Sequence, residues 1–209
     1  MRKLKLEVQL SIDGFMADQK GGTDWMVWNW GNDWTWDKEL QDYHTALTKS
    51  ADCIFLSRQM AEEGFIEHWA QVAQDASSPQ QDFAKHIRDT YKVIFSKTLT
   101  KDDPIPGGWD NADVSQWDIK QHIRHLKNQE GKDIIVYGGA SFISSLIQGG
   151  LVDEYHLLIN PVVLGKGIPV FNRLPSKQSM ILQQSKTYSC GVTLMQYQMA
   201  KQSVEAQVA

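Results

Sequence analysis

Short apolar runs alternate along the chain with stretches of helical spacing. Strands are expected at residues 3–12, 52–56, 91–95 and 133–136, where apolar residues either alternate with polar ones or form short continuous runs. Helices are expected at residues 37–49, 60–64, 82–90, 115–129 and 140–149, and the clearest of them have apolar residues at helical spacing. The helix at 115–129 should begin with a capping box of Ser115 and Asp118. This alternation predicts an α/β fold, a mostly parallel sheet flanked by helices on both faces.

The remaining segments have weaker patterns. Residues 66–82 are polar and are expected to be loop-like or weakly helical. Three further strands are expected at 154–159, 180–188 and 192–199, and the last two should form an antiparallel C-terminal hairpin. Residues 1–200 are therefore expected to form a single domain, with a polar tail at 201–209.

A long loop at residues 18–36 is rich in glycine and tryptophan. It carries five of the eight tryptophans, at positions 25, 28, 30, 34 and 36. A loop of this length in a compact domain is usually a functional lid or is disordered, and so many aromatic residues argue against disorder. Three interpretations remain open: a ligand-facing lid, a hydrophobic plug and a dimer contact.

Composition excludes several classes of protein. The net charge is only −4, which is not the footprint of a nucleic-acid-binding protein. No apolar run is long enough to cross a membrane, and the start has no signal-peptide pattern, so a cytoplasmic protein is expected. Cys53 and Cys190 are far apart and match no metal or redox spacing, and the six histidines do not have metal-ligand spacing. No metal site is expected.

Glycines stand where an apolar strand passes into a helix. The run Ile134-Ile135-Val136 is followed by Gly138-Gly139, and helical spacing begins directly afterwards. A helix N-terminus offers unpaired N–H groups, and glycine lets a ligand approach the backbone, so this turn is a candidate phosphate cradle. A tight turn without a ligand remains the alternative.

Two further strands end in small or cationic residues. Ser57-Arg58 and Ser96-Lys97-Thr98 follow strands that should end at the same sheet edge as the glycine turn. Together the three turns suggest a ligand with several phosphates, and the two cations favour a dinucleotide with a 2′-phosphate. The alternative is a pair of surface cations beside ordinary helix caps. The chain has no Gly-x-Gly-x-x-Gly after its first strand, no Walker A motif and no Gly-x-Ser-x-Gly elbow.

Several motifs together resemble one superfamily. They are Ser11-Ile12-Asp13-Gly14, Gly21-Gly22-Thr23-Asp24-Trp25, Ile54-Phe55-Leu56-Ser57-Arg58, Ile94-Phe95-Ser96-Lys97-Thr98-Leu99, Val136-Tyr137-Gly138-Gly139-Ala140-Ser141, Gly150-Leu151-Val152-Asp153-Glu154, and Pro161 to Gly167 with Phe171 after it. Nearly the whole chain resembles the dihydrofolate reductase-like superfamily, most closely the C-terminal reductase domain of the riboflavin-biosynthesis deaminase–reductase. The resemblance implies an NADPH-dependent oxidoreductase that acts on a small molecule and forms a homodimer.

The resemblance also implies roles for individual residues. Cofactor binding is implied for Leu10 and Ala17 beside the nicotinamide, for Ser57, Arg58 and Gln59 at the adenosine phosphate, for Ser96, Lys97 and Thr98 in a second adenosine-side turn, and for Gly138, Gly139, Ala140, Ser141 and Phe142 at the pyrophosphate. Thr23 and Trp25 are implied to contact substrate and cofactor.

The substrate half departs from this family. The zinc-deaminase motifs are absent, Thr48 stands near the position of a phosphate-binding arginine, and Tyr137 stands where an acidic residue is usual. Folate reductases carry a threonine where this chain has Met60, and a carboxylate that corresponds to Asp37. Asp37 is therefore the candidate catalytic residue, as an anchor for an aminopyrimidine or pteridine ring. Its alternative role is that of an acid favoured by the dipole at a helix N-terminus.

Three functions follow from these observations. The leading hypothesis is an NADPH-dependent reductase of a pyrimidine- or pterin-like substrate, similar to the 5-amino-6-(5-phosphoribosylamino)uracil reductase of riboflavin biosynthesis. The alternatives are a dihydrofolate-type or other small-heterocycle reductase, and a non-catalytic nucleotide-binding protein. In the two reductases the cofactor would carry the chemistry while the protein positions it and excludes water.

Overall fold

A computed structural model describes residues 1–200 as one α/β unit, and the expected tail at 201–209 lies outside the described residues. The strands are β1 (Leu4–Leu10), β2 (Phe15–Ala17), β3 (Ala51–Ser57), β4 (Tyr91–Phe95), β5 (Ala112–Ser115), β6 (Asp133–Val136), β7 (Glu154–Ile159), β8 (Ile168–Pro169), β9 (Met180–Thr187) and β10 (Thr193–Met199). The helices are α1 (Lys38–Lys49), α2 (Arg58–Glu62), α3 (Phe65–Gln74), α4 (Gln81–Asp89), α5 (Ile119–Lys127) and α6 (Ala140–Gln148).

Eight strands form one sheet in the order β5-β4-β3-β6-β1-β7-β10-β9. The six strands from β5 to β7 pair in parallel, and β10 pairs antiparallel with both β7 and β9. The short strands β2 and β8 form a separate antiparallel pair. The mostly parallel sheet and its antiparallel C-terminal hairpin are therefore confirmed.

Alternating side chains of the central strands build a core on each face of the sheet. On β3, Ile54 and Leu56 face the cluster that contains apolar residues of α1, α3 and α4. Cys53 and Phe55, between them in sequence, face the cluster that contains residues of α5 and α6. A strand covered on both faces reads as a continuous apolar run, as β3 does in the sequence.

One sequence prediction about local structure understated the helix that forms there, and another was wrong. Residues 66–82 were expected to be irregular or weakly helical, but α3 occupies their first half and buries Phe65, Ile66 and Trp69. Ser115 was expected to begin a helix, but it ends strand β5, and Asp118 caps α5 instead by accepting hydrogen bonds from Lys120 N and Gln121 N. Both elements depend on tertiary packing: α3 packs on α4, and β5 pairs with β4.

The tryptophan-rich loop mainly acts as a hydrophobic plug, which fills the core on the face of the sheet covered by α1, α3 and α4. Trp28, Trp34 and Trp36 are only 3%, 7% and 3% exposed. Trp28 lies 4.7 Å from Trp36 and 6.4 Å from Trp69 of α3, measured between ring centroids. The loop thus has no helix or strand between residues 18 and 36, yet its rings are packed as firmly as those of the helices around it.

Candidate functional site

A cavity of about 550 Å³ opens where β1 and β6 end, between the tryptophan-rich loop and the N-terminus of α6. Its lining combines backbone of the glycine turn, aromatic rings of the loop and polar side chains of β1 and α1. The residues that matter below are Glu7, Ala17, Thr23, Trp28, Trp30, Trp36, His44, Gln59, Glu63, Tyr137, Gly138, Gly139, Ala140 and Ser141. Ligand sites of open α/β sheets occupy this position beyond the carboxyl ends of the strands.

The glycine turn requires Gly139. Its φ is +82° and its ψ is 93°, a conformation that L side chains rarely adopt. A Cβ on this residue would lie 2.5 Å from Ser57 Oγ, so the turn also packs directly against the end of β3. Helix α6 starts here without a side-chain cap, which leaves its first N–H groups available at the cavity.

The other two turns meet at the same sheet edge. Ser57 Oγ caps α2 by accepting a hydrogen bond from Met60 N at 3.2 Å. Arg58 donates from its NH1 group to Thr98 Oγ1 at 2.6 Å, which joins the turn after β3 to the turn after β4. Arg58 also pairs with Glu62 at 2.7 Å, and half of its side chain is exposed. The expected gathering of the three turns on one edge is therefore present in the structure.

Some of the residues expected in the site line the cavity, and the others lie outside its lining. Those that line it are Ala17, Thr23, Gln59, Gly138, Gly139, Ala140 and Ser141. Those outside its lining are Leu10, Trp25, Asp37, Ser57, Arg58, Ser96, Lys97, Thr98 and Phe142. Ser57, Arg58 and Thr98 lie beside the glycine turn or in contact with one another, whereas the indole N–H of Trp25 donates to Gly22 O at 3.1 Å within its own loop.

Asp37 caps α1. One carboxylate oxygen accepts from Leu40 N at 3.0 Å, and the other accepts from the Ser189 hydroxyl at 2.9 Å and from Cys190 N at 3.1 Å. Burial acts to raise the pKa of Asp37, but these hydrogen bonds outweigh it and hold the pKa below its ordinary value. Because the carboxylate is engaged and lies outside the cavity lining, its geometry is that of the alternative role, a cap that also ties α1 to the β9–β10 hairpin.

Two of the positions that depart from the resembled family contact each other. The hydroxyl groups of Thr48 and Tyr137 are hydrogen-bonded, and Thr48 also donates to His44 O at 2.8 Å. Burial, and then the nearby carboxylate of Glu7, raise the pKa of the Tyr137 phenol well above its ordinary value. Tyr137 therefore contributes an uncharged side chain to the cavity lining, and its partner Thr48 lies outside that lining.

Glu7 and His44 form a buried pair that the sequence analysis missed. His44 Nδ1 lies 2.9 and 2.8 Å from the two carboxylate oxygens of Glu7. Both side chains line the cavity, although Glu7 is only 4% and His44 only 5% exposed. A signal was present, because Glu7 stands at a polar position between the apolar residues of a strand that proves to be buried on both faces.

A second buried pair lies on the same face of the sheet, outside the cavity lining. His156 Nε2 lies 2.8 Å from Glu154 Oε1, and His156 Nδ1 is hydrogen-bonded to the Tyr43 hydroxyl. The hydrogen bond from His156, supported by one from Lys3, holds the pKa of Glu154 at about 2 despite burial. The two pairs share their chemistry but differ in access to the cavity, which makes the second a natural control for the first.

The residues present fit a phosphate-bearing dinucleotide. The uncapped start of α6 and the backbone of Gly138-Gly139 offer donors for phosphate groups at the cavity, and the guanidinium of Arg58 lies in the neighbouring turn, outside the lining. The lining also contains the aromatic rings of Trp28, Trp30 and Trp36, against which a flat ring would pack. Across residues 1–200, no group of three or more His, Cys, Asp or Glu side chains is placed to hold a metal ion.

The mostly parallel sheet with helices on both faces and an antiparallel edge hairpin has the dihydrofolate reductase-like fold. The family described as the RibD C-terminal domain matches residues 2–194, and the chain belongs to that family. A curated relative, the uncharacterized protein YyaP of Bacillus subtilis (strain 168), is 29% identical over 198 residues, which are 94% of each chain.

Solved structures show the same fold. A protein of Shewanella sp. PV-4, whose name links it to riboflavin biosynthesis, superposes with a TM-score of 0.68 at 22% identity, over 95% of this chain and 99% of that one. The diaminohydroxyphosphoribosylaminopyrimidine deaminase/5-amino-6-(5-phosphoribosylamino)uracil reductase of Thermotoga maritima gives a TM-score of 0.65 at 13% identity, over 95% of this chain and 57% of that one. Within residues 1–200, no helix is long and apolar enough to span a bilayer.

Proposed function

We propose that this protein is an NADPH-dependent reductase of a pyrimidine- or pterin-like heterocycle. The observation that carries the proposal is the junction of three strand-end turns beside the cavity, one of which forms the uncapped N-terminus of α6. Membership of the RibD C-terminal domain family supports an oxidoreductase related to those of the riboflavin pathway. A bound reduced nicotinamide would supply a hydride. The chain's own residues would bind and orient the cofactor and the substrate and shield them from water.

The glycine turn and Arg58 are the proposed phosphate contacts. Gly138 and Gly139 expose backbone to the pyrophosphate, and their lack of side chains keeps the entrance open. Arg58 is held by Glu62 and Thr98 in a position to meet a 2′-phosphate at the rim. Ser96 and Lys97 belong to the same rim through the turn that contains Thr98.

The aromatic wall is the proposed shield of the reacting centre. Trp28, Trp30 and Trp36 line the cavity, and Trp28 and Trp36 are buried in the core behind it. Such a wall excludes water from one side without a moving lid. A folate-type reductase receives less support, because Asp37, the carboxylate proposed for it, serves as a helix cap.

The first experiment is a titration of the purified protein with NADPH and with NADH, followed by tryptophan fluorescence. Quenching by NADPH at concentrations well below those needed for NADH would support the cofactor, because three tryptophans line the cavity. No response to either dinucleotide, checked by calorimetry, would refute the proposal. Sedimentation of the same sample tests the homodimer, for which the exposed Ile181 and Leu182 of edge strand β9 offer an apolar surface.

A further inference from the structure

Trp30 lines the cavity in a strained backbone conformation. Its φ is +55°, in the left-handed region that a bulky side chain rarely adopts. Trp34 of the same loop also has a positive φ, but its ring is buried in the core and lies outside the cavity lining. Strain of this kind persists only where the surrounding structure holds it, and it is concentrated at ligand sites.

The indole ring of Trp30 is backed by helix α3. Within residues 1–200, the aromatic rings that pack on it all belong to that helix, with centroids at 5.1 Å for Phe65, 6.2 Å for His68 and 6.1 Å for Trp69. The other two tryptophans of the cavity lining are buried, whereas Trp30 is only partly buried. Its ring therefore has both firm support and surface that a ligand can cover.

Gln80 holds the loop immediately after Trp30. Its Nε2 donates to Gly31 O at 2.7 Å and to Asn32 O at 3.3 Å, and since both partners are carbonyl oxygens, the amide nitrogen must face them. Gln80 stands at the N-cap of α4, but its side chain does not cap that helix. The side chain is only 1% exposed, and its Oε1 has no hydrogen-bond partner among the described residues. A buried unpaired oxygen costs free energy, so stability alone does not favour a glutamine here.

Phe65 connects Trp30 with the glycine turn. Its ring lies edge-on to that of Trp30 and nearly parallel to that of Tyr137, with 27° between the planes and 6.5 Å between the centroids. Tyr137 directly precedes Gly138, and both line the same cavity as Trp30. In a dinucleotide whose pyrophosphate lies at the glycine turn, only a ribose separates that pyrophosphate from the nicotinamide ring, which would enter this cavity.

We propose that the indole of Trp30 packs on one face of the nicotinamide ring of bound NADPH, and that Gln80 is the positioning residue that keeps this indole in place. The assignment rests on the proposed reductase function. A nicotinamide covered on one face keeps the other face for the substrate, to which the hydride would pass. Neither residue was supplied by the family resemblance.

Two ligands isolate the contact of Trp30. They are NADPH and 2′-phospho-ADP-ribose, which has the same phosphates and adenosine but no nicotinamide. Trp30→Leu should weaken NADPH about three- to tenfold in calorimetry, as expected for a lost aromatic pair, and leave 2′-phospho-ADP-ribose unchanged. Trp117→Leu, at an exposed indole outside the cavity lining, should change neither. Equal losses for the two ligands, or unchanged NADPH binding, would overturn the contact.

Gln80→Leu tests the positioning role. It should weaken NADPH about as much as Trp30→Leu does, because the ring of Trp30 is no longer held in place. The urea midpoint should change little, since Gly31 O keeps its second donor, Trp28 Nε1 at 3.1 Å, and the unpaired Oε1 is removed. A lower urea midpoint with unchanged NADPH affinity would assign Gln80 a purely structural role and refute the proposal.

The adjacent glutamine is the matched control. Gln81 Nε2 donates to Ala73 O at 3.4 Å, at the end of α3 and away from the loop, so Gln81→Leu should leave NADPH binding unchanged. The double variant Trp30→Leu, Gln80→Leu should bind NADPH no more weakly than either single variant, because Gln80 acts through Trp30. Additive losses in the double variant, or an equal loss in Gln81→Leu, would refute the positioning role.

Fluorine NMR of protein labelled with 5-fluorotryptophan gives a readout that does not depend on affinity. The Trp30 signal is the one missing in Trp30→Leu; NADPH should shift it, and 2′-phospho-ADP-ribose should not. In the free protein, Gln80→Leu should move this signal and Gln81→Leu should leave it in place, and an unmoved signal in Gln80→Leu refutes the positioning role. Bound NADPH without a Trp30 shift refutes only the contact, whereas failure of both ligands to bind refutes the proposed function as well.

Discussion

Replacement of Gly139 by alanine tests the construction of the phosphate cradle. The substitution adds one Cβ at a residue whose φ is +82°, and that atom would lie 2.5 Å from Ser57 Oγ and 2.8 Å from Ser57 Cβ. The backbone conformation alone costs an L residue about 1–2 kcal/mol. The contact with a buried serine adds about 1–3 kcal/mol of overpacking, because Ser57 is held by its cap on α2.

Gly150→Ala is the matched control. Gly150 also has a positive φ, of +62°, but a Cβ there meets nothing within 4 Å. Urea unfolding should therefore show a loss of about 2–5 kcal/mol for Gly139→Ala and of about 1–2 kcal/mol for Gly150→Ala. NADPH affinity should fall at least about tenfold in the first variant and stay unchanged in the second, since only the first displaces the start of α6.

The double variant Gly139→Ala, Ser57→Gly checks the cause. Removal of the serine side chain opens the space that the new methyl group needs, so part of the lost stability should return even though the cap of α2 is sacrificed. The reasoning is refuted if Gly139→Ala is no worse than Gly150→Ala in stability and in NADPH affinity. Additive losses in the double variant would show that Ser57 is not the obstacle.

Three further predictions concern the rim, the plug and the second polar pair. Arg58→Ala should weaken the binding of NADPH at least about tenfold and the binding of NADH little, because a 2′-phosphate contact is lost. The control Arg88→Ala breaks an exposed ion pair with the neighbouring Asp89 and should change the binding of neither dinucleotide. Equal losses of affinity for both dinucleotides would contradict the assignment. Trp28→Ala should lower the free energy of unfolding in urea by about 3–5 kcal/mol, as expected for a core tryptophan. The control Trp117→Ala changes a side chain that is 67% exposed and should lower it by under about 0.5 kcal/mol. A small loss of stability in Trp28→Ala would indicate that the loop is a detachable lid. The pKa of Glu154 is about 2 in the folded protein and 4.5 as its ordinary value, so its ionisation contributes about 3 kcal/mol to stability above pH 4.5, and this contribution is lost as the pH falls towards 2. Glu154→Gln should flatten that part of the stability profile, and an unchanged profile would refute the shift.

Local sequence was enough to predict those elements whose own apolar pattern specifies them without a partner elsewhere in the chain. Strand β4 was predicted at its observed bounds, and the glycine turn after β6 was placed correctly, because a buried parallel strand needs a continuous apolar run and its exit needs residues without a Cβ. The position of the three turns at one edge followed as well, since parallel strands joined by right-handed crossovers all end on the same side.

Only the tertiary structure decided the roles of residues whose partners are distant in sequence. Strand β5 exists because it pairs with β4, and α3 is stable because it packs on α4. Asp37 could have faced a ligand or a helix end, and the approach of the β9–β10 hairpin settled its hydrogen bonds.

In the site, too, local features followed from the sequence, whereas contacts between distant residues did not. The glycine turn is a local feature, so the sequence predicted its position, and its role as a phosphate cradle stays a prediction. The Glu7–His44 pair joins a strand to a helix 37 residues away, and its position depends on how α1 lies across β1. Trp28 and Trp36 of the loop belong both to the core and to the cavity lining, which composition alone could not determine. Sequence periodicity determines which side chains share a face, but only packing between elements determines which faces meet. The part of the cavity lining formed by Glu7 and His44 lies where β1 and α1 meet in this way.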